Sequence, residues 1–173
     1  MIHVCSLSRI AEVARGCRAD RMVTLMTDGT GVMRPAHMVA DNHLVLTMHD
    51  IVEEMPDMTA PNEAHVEALL AFARRWDRRA PMLIHCYAGI SRSTAAAYVV
   101  AASLAPERDE AELAASLRRA SSTATPNVRI VSIADRLLGR GGRMISAIQS
   151  IGRGTEAMEG IPFMLDIDLK VSS

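Results

Sequence analysis

A cysteine and an arginine stand six positions apart in one short segment, His85-Cys86-Tyr87-Ala88-Gly89-Ile90-Ser91-Arg92-Ser93. A cysteine thiolate is a strong nucleophile, and the planar fork of an arginine guanidinium can bind two oxygens of a phosphate group. Backbone N–H groups that precede a helix are additional donors for an anion. The segment therefore predicts a site that both binds a phosphate group and attacks it.

Two apolar stretches must position this segment. Pro81-Met82-Leu83-Ile84 is typical of a short buried strand, and the nearly uncharged stretch from Ser93 to Leu104 predicts a buried helix. The positive end of that helix dipole would favour the thiolate form of Cys86. Gly89 would let the backbone turn where a side chain would obstruct it.

The pattern His-Cys-x-x-Gly-x-x-Arg-Ser, complete from His85 to Ser93, resembles the active-site loop of the cysteine-dependent protein tyrosine phosphatases, and is most similar to the dual-specificity branch. This resemblance implies that Cys86 forms a cysteinyl-phosphate intermediate, that Ser93 assists its breakdown, and that His85 orients the loop. The implied fold is the α/β protein tyrosine phosphatase-like fold, a central sheet flanked by helices with a helical second half. The implied phosphate-binding residues are Tyr87, Ala88, Gly89, Ile90, Ser91 and Arg92.

A phosphatase also needs a general acid, because the leaving oxygen departs poorly unless it is protonated. The stretch from His43 to Met48 predicts a strand, and an acidic loop follows it. The resemblance places the acid on such a loop, and Asp50 lies there, 36 positions before Cys86. The alternatives on the same loop are Glu53, Glu54 and Asp57.

The remaining pattern alternates strands and helices and then becomes helical. We predict strands at Ile2 to Cys5 and Arg21 to Met26, and helices at Leu7 to Arg15, Glu63 to Arg78, Asp109 to Ala120, and from Thr125-Pro126 through Leu138. We expect a phosphatase catalytic domain at residues 1–142. Residues 143–173 form a C-terminal extension that we expect to pack on the same domain through the apolar run Ile161 to Leu165.

Composition narrows the partners of this protein. The net charge of −1 gives no electrostatic basis for binding nucleic acid or an anionic membrane surface. The uncharged positions of the loop argue against a polyphosphorylated substrate, unless Arg129 or Arg136 supplies the missing charge. We expect the loop to bind phosphate or another oxyanion, and the substrate to be a phosphorylated protein or a small phosphomonoester.

The cysteines and histidines indicate neither a metal nor a cofactor. Cys5, Cys17 and Cys86 form no CxxC pair, and the six histidines lack metal-ligand spacing. Unpaired cysteines fit a reducing compartment, and the N-terminus does not resemble a signal peptide, so we expect a cytoplasmic location. The longest apolar run, from Ala95 to Ala105, is too short to span a bilayer.

Together these features predict a metal-independent phosphomonoester hydrolase that uses a covalent cysteine intermediate. Two alternatives stay open: a module that binds phosphate with little or no catalysis, and a rhodanese-like or arsenate reductase-like enzyme with a cysteine loop. Upstream of the segment His85 to Ser93, the sequence shows no loop with a tyrosine that could stack on a phosphotyrosine ring. This absence predicts a shallow pocket. Such a pocket would accept phosphoserine and phosphothreonine as well as phosphotyrosine, or a small phosphate ester.

Overall fold

One five-stranded sheet carries the candidate loop. The structure, a computed structural model, describes residues 1–167. The strand order is β3-β2-β4-β1-β5, where β5 is antiparallel to β1 and the other neighbours are parallel. The strands are β1 (Ile2–Ser6), β2 (Arg21–Met26), β3 (His43–Thr47), β4 (Met82–Cys86) and β5 (Phe163–Leu165).

Helices cover both faces of the sheet, and most of them follow β4. The α-helices are α1 (Ile10–Cys17), α2 (Glu63–Arg74), α3 (Arg92–Leu104), α4 (Glu110–Ala120), α5 (Val128–Leu137) and α6 (Arg143–Ser150), with 3-10 turns at Leu7–Arg9 and Ala40–Asn42. The predicted α/β fold class with a helical second half is confirmed. No helix among residues 1–167 has the length and apolar character needed to cross a membrane.

Three predicted helix boundaries were wrong. The helix expected from Glu63 to Arg78 ends at Arg74, because the chain turns towards β4: Arg78 has a φ of 61° and the Trp76 indole donates a hydrogen bond to the Ala80 carbonyl (2.9 Å). The helix expected to begin at Leu7 opens with a 3-10 turn before α1. The helix expected to begin at Thr125-Pro126 begins two positions later.

Side-chain caps explain where α2, α4 and α5 begin. Asn62 accepts a hydrogen bond from the backbone N–H of His65, whose ring accepts one in return from the Asn62 N–H. Asp109 and Asn127 each accept hydrogen bonds from two backbone N–H groups in the first turns of α4 and α5. Asn127 is therefore the cap of α5.

The helix α3, which follows the candidate loop, lies at the centre of the core. Residues 92–102 are buried on every side, and its alanines allow β4, α2, α4 and α5 to pack closely around it. The one tyrosine in this helix, Tyr98, is fully buried and donates its hydroxyl hydrogen to the Glu110 carbonyl (3.1 Å). A rigid, buried helix thus supports the end of the candidate loop.

The region after residue 142 shares this core. Met144, Ala147 and Ile148 of α6 and Leu165 of β5 are buried in the same cluster as β4 and α3. The division of the chain at residue 142 remains a prediction. Positions 168–173 of the expected extension, including the only lysine, Lys170, lie outside the described residues.

Candidate active site

The loop from Cys86 to Arg92 directs its carbonyl groups outwards, to the surrounding chain. Three segments that are distant in sequence supply the amides. Leu7 N donates to Tyr87 O (3.1 Å), Gly160 N donates to Ala88 O (2.8 Å), and Thr125 N donates to Ile90 O (2.9 Å). These contacts fix the orientation of the peptide planes in the loop.

The amides of the loop remain available. Within residues 1–167, the backbone N–H groups of Ala88, Ile90 and Ser91 donate no hydrogen bond to another group, and Gly89 N lies 3.3 Å from the Cys86 Sγ. Buried or half-buried amides normally have partners. An anion placed above the Cys86 sulfur would satisfy them.

Gly89 is required at its position. It has a φ of +73°, and a Cβ there would lie 2.8 Å from the Cys5 carbonyl carbon and 2.8 Å from the Ser6 nitrogen. Both obstructing atoms belong to the backbone of β1, which is paired with β4 on one side and with β5 on the other. Only glycine lets the loop lie this close to the strand.

The Cys86 sulfur has two potential hydrogen-bond donors. The Ser93 hydroxyl oxygen lies 3.1 Å from Sγ, and the Gly89 amide approaches from the other side. Cys86 is 2% exposed and Ser93 is fully buried. Both groups lie where they can donate a hydrogen bond to the sulfur atom.

Arg92 has one buried donor that is not used. Its Nη1 donates to the Met48 carbonyl (2.7 Å), which fixes the side chain from the strand side. Among residues 1–167 its Nε has no hydrogen-bond partner and lies 4.0 Å from the Asp50 Oδ2, although only 5% of the residue is exposed. An unpaired buried guanidinium N–H is costly. A phosphate oxygen in the loop would be a suitable acceptor.

His85 is buried and neutral. Its Nε2 lies 2.7 Å from the Thr24 Oγ1, which in turn lies 2.8 Å from the His43 Nε2. Its Nδ1 lies near the Cys86 backbone without a hydrogen bond of good geometry. Burial lowers the pKa of His85 to about 4, so the ring stays uncharged at neutral pH.

The candidate acid Asp50 is attached directly to the loop. Its Oδ1 accepts hydrogen bonds from the Ser91 hydroxyl (2.8 Å) and from the Asn127 Nδ2 (2.8 Å). The structure thus brings Asp50, Ser91 and Arg92 together, as the sequence predicts. The alternatives Glu53, Glu54 and Asp57 are exposed, and Glu54 forms an ion pair with Arg129.

A cavity of about 840 Å³ lies beside the loop. Asp50, Ile90 and Ser91 line one side, and residues 125–128 and 153–158 line the rest. Arg118 holds this second wall in place, because its guanidinium donates to the carbonyls of Ser121, Ser122, Ile151 and Gly152. Sequence reasoning missed this wall, since nothing in residues 153–158 marks them as part of a site.

The other groups named from the sequence lie elsewhere. Arg136 pairs with Glu63 (2.8 Å) and Arg129 faces the loop that carries Asp50, so neither supplies charge to the phosphate loop. Cys5 is opposite His85 in the β1–β4 register and packs on the other face of the sheet from Cys86. Burial raises the pKa of Cys5 to about 12, which makes it a poor redox partner. Among residues 1–167, no group of histidine, cysteine and acidic side chains has an arrangement that could hold a metal ion.

The fold is similar to that of solved phosphatase structures. The Cydia pomonella PTP-2 phosphatase superposes with a TM-score of 0.61 at 18% identity, over 78% of this chain and 84% of the other. DUSP15 superposes with a TM-score of 0.55 at 13% identity, over 87% and 89%. Neither a family model nor a curated protein sequence matches the chain.

The chain therefore has the fold of the protein tyrosine and dual-specificity phosphatases. The resemblance inferred from the segment His85 to Ser93 is confirmed at the level of the fold. At these identities, the likeness does not by itself assign an activity, which depends on the chemistry of the loop.

Proposed function

We propose that this protein is a phosphomonoester hydrolase that acts through a cysteinyl-phosphate intermediate and needs no metal. One observation carries the proposal: the Cys86 sulfur, the unpaired Arg92 Nε and the unused loop amides lie in one loop at the N-terminus of α3. A nucleophile surrounded by donors that lack acceptors is suited to a phosphate dianion.

The proposed reaction has two steps. The Cys86 thiolate attacks phosphorus, the ester P–O bond breaks, and Asp50 donates a proton to the leaving oxygen. Water then attacks the phosphocysteine with Asp50 as the base, the P–S bond breaks, and inorganic phosphate leaves. Arg92 and the loop amides stabilise the charge on the equatorial oxygens in both steps, and the Ser93 hydroxyl stabilises the departing thiolate.

The substrate is proposed to be a phosphorylated protein or a small phosphomonoester. The cavity beside the loop leaves room for the group that carries the phosphate. Of the two tyrosines in the chain, Tyr87 is 66% exposed and Tyr98 is buried in α3, so neither forms a wall that would select a phosphotyrosine ring. A permissive site for phosphoserine, phosphothreonine and phosphotyrosine follows.

The location of Asp50 favours catalysis over binding alone. A binding module needs no proton donor, whereas Asp50 is held between Ser91 and Asn127 at the edge of the loop. The fold supports a phosphatase rather than a rhodanese-like or arsenate reductase-like enzyme. The proposal includes a reducing, cytoplasmic setting, in which the free Cys86 would stay active.

Hydrolysis of an aryl phosphate in the presence of a chelator tests the proposal. We expect the parent to turn over, Cys86→Ser and Arg92→Ala to lose all measurable activity, and Asp50→Asn to slow turnover by about 100-fold or more with a flattened basic limb of the pH profile. Cys17→Ser is the matched control and should keep full activity, because Cys17 lies in α1, away from the loop.

Each alternative has its own outcome. Phosphate binding without turnover in the parent would indicate a phosphate-binding module. Transfer of sulfur or reduction of arsenate without ester hydrolysis would indicate one of the other cysteine-loop enzymes. Full activity in Cys86→Ser would refute the mechanism. Comparing peptides that carry phosphoserine, phosphothreonine or phosphotyrosine tests the permissive pocket, which a strict preference for phosphotyrosine would exclude.

A further inference from the structure

One arginine on α5 contacts both ends of the loop that carries Asp50, which we call the acid loop (residues 49–61). The Arg129 Nε donates to the Pro61 carbonyl (2.7 Å), its Nη1 donates to the Val52 carbonyl (3.2 Å), and its Nη2 donates to the Glu54 carboxylate (3.1 Å). The planar fork thus spans the start and the end of the loop. A lysine ammonium has no such geometry.

The internal hydrogen bonds of the acid loop close it on itself but do not attach it to the domain. His49 N donates to Thr59 O (2.8 Å), and Thr59 N donates to the His49 Nδ1 (2.9 Å). The segment between them is exposed at every residue from 52 to 59. A loop with so little buried surface depends on a few polar contacts for its position.

Apart from the contacts of Asp50 with Ser91 and Arg92 in the phosphate loop, the contacts that attach the acid loop to the domain converge on the start of α5. Asn127 Nδ2 donates to Asp50 and, at 3.3 Å, to the Ile51 carbonyl, and Arg129 lies two residues further along the chain. The Arg129 side chain is 25% exposed, whereas its partner Glu54 is 84% exposed. Solvent screens the ion pair, so the two bonds to backbone carbonyls contribute most to holding the loop.

We propose that Arg129 is a positioning residue that holds the acid loop closed over the phosphate loop before substrate binds. In this arrangement Asp50 is already in place for proton transfer, and catalysis does not require the loop to close after binding. The inference rests on the proposed phosphatase activity. It assigns no contact between Arg129 and the substrate.

Loss of the contact should affect only the steps in which Asp50 transfers a proton. In Arg129→Ala the loop is released, and Asp50 occupies its position for a smaller fraction of the time. We expect kcat/KM, which reports cleavage of the ester bond and not breakdown of the phosphocysteine, to fall roughly 10-fold for an aryl phosphate with a poorly acidic leaving phenol, and less than about 3-fold for one with a highly acidic phenol, since the latter departs without much protonation.

Three comparisons test this positioning role. Arg136→Ala is the control, since Arg136 lies on the same helix and makes one exposed ion pair with Glu63; it should leave the leaving-group dependence unchanged. The leaving-group dependence of Arg129→Lys should lie between that of Arg129→Ala and that of the parent. This variant tests the positioning role if Arg129→Ala does not fold. In an Asp50→Asn background, Arg129→Ala should have no further effect on kcat/KM.

Hydrogen exchange gives a readout that does not depend on activity. The amides of His49, Met58 and Thr59, which donate hydrogen bonds within the acid loop, should exchange faster in Arg129→Ala than in the parent, and at the parent rate in Arg136→Ala. An inactive parent with faster exchange in Arg129→Ala would refute the proposed function and leave the structural role of Arg129 standing. The inference would be overturned if the parent is active and Arg129→Ala lowers kcat/KM by the same factor for all leaving groups. It would also be overturned if Arg129→Ala lowers activity further in the Asp50→Asn background.

Discussion

Replacing Gly89 by alanine tests the geometry of the phosphate loop with a single methyl group. Gly89 has a φ of +73°, and its Cβ would meet the Cys5 and Ser6 backbone at 2.8 Å. These atoms belong to β1, whose pairing with β4 continues into the loop through the hydrogen bond from Leu7 N to Tyr87 O (3.1 Å). Relief of the clash therefore requires the loop to move.

Two separate contributions lower the free energy of unfolding of Gly89→Ala. An alanine in the left-handed region costs about 1–2 kcal/mol. Overpacking against atoms that cannot rotate away costs typically about 1–3 kcal/mol more. The free energy of unfolding should fall by about 2–5 kcal/mol in total, which a domain with a stability of about 5–15 kcal/mol survives.

Gly139→Ala isolates the first contribution, because Gly139 has a φ of +64° and no atom within 4 Å of the added Cβ. Urea unfolding of both variants gives the difference between their free energies of unfolding. Aryl phosphate hydrolysis tests whether the loop keeps its geometry. We expect Gly89→Ala to be less stable than Gly139→Ala by at least about 1 kcal/mol and to lose most activity, because the Gly89 amide leaves the Cys86 sulfur. Equal stability with full activity in Gly89→Ala would refute the close approach of the loop to β1.

Two further predictions concern stability. The pKa of His85 is about 4 in the folded chain and about 6.5 in the unfolded chain, so its neutral ring contributes stability that is complete above pH 6.5 and falls by about 3 kcal/mol as the pH approaches 4. Denaturation at several pH values should therefore show a smaller loss of stability at acid pH in His85→Gln than in the parent. An identical loss would contradict the assignment. Arg140→Met should cost about 3 kcal/mol or more, because the buried Glu110 carboxylate keeps only the half-exposed Arg143 as a partner and the Ala102 carbonyl loses its donor, whereas Arg143→Met should cost much less, since the Arg143 side chain is 58% exposed. Chemical denaturation compares the two, and similar costs would refute the distinction.

Local signals predicted the parts of the site that are close in sequence. The run Pro81 to Ile84 is apolar because β4 is buried on both faces, and the segment His85 to Ser93 carries every group of the phosphate loop. Asp50 was chosen because the resemblance places the acid on a loop after such a strand. These features depend on the periodicity and residue chemistry of a short stretch.

Contacts between distant segments were not predictable in the same way. Arg129 and Glu54 are 75 positions apart, and the sequence suggests a role for Arg129 in substrate charge rather than in the acid loop. The arginine-rich end of α2 favours a longer helix than the one observed, because the turn before β4 is set by tertiary packing. Asn127 follows Pro126 in the sequence, but its hydrogen bond to Asp50 forms only in the folded chain.

The contact between Gly160 and Ala88 has a consequence for synthesis of the chain. The ribosome completes the catalytic motif at Ser93, but the amide that holds the Ala88 carbonyl arrives only with Gly160, and Glu159 beside it accepts hydrogen bonds from Ser6 and Ser8. The strand β5 that follows must then pair with β1, the first strand to be made. A nascent chain that stops shortly after α3 has the nucleophile and the arginine but lacks the contacts that orient the loop. The proposed activity therefore requires that nearly all of the described chain has been synthesised.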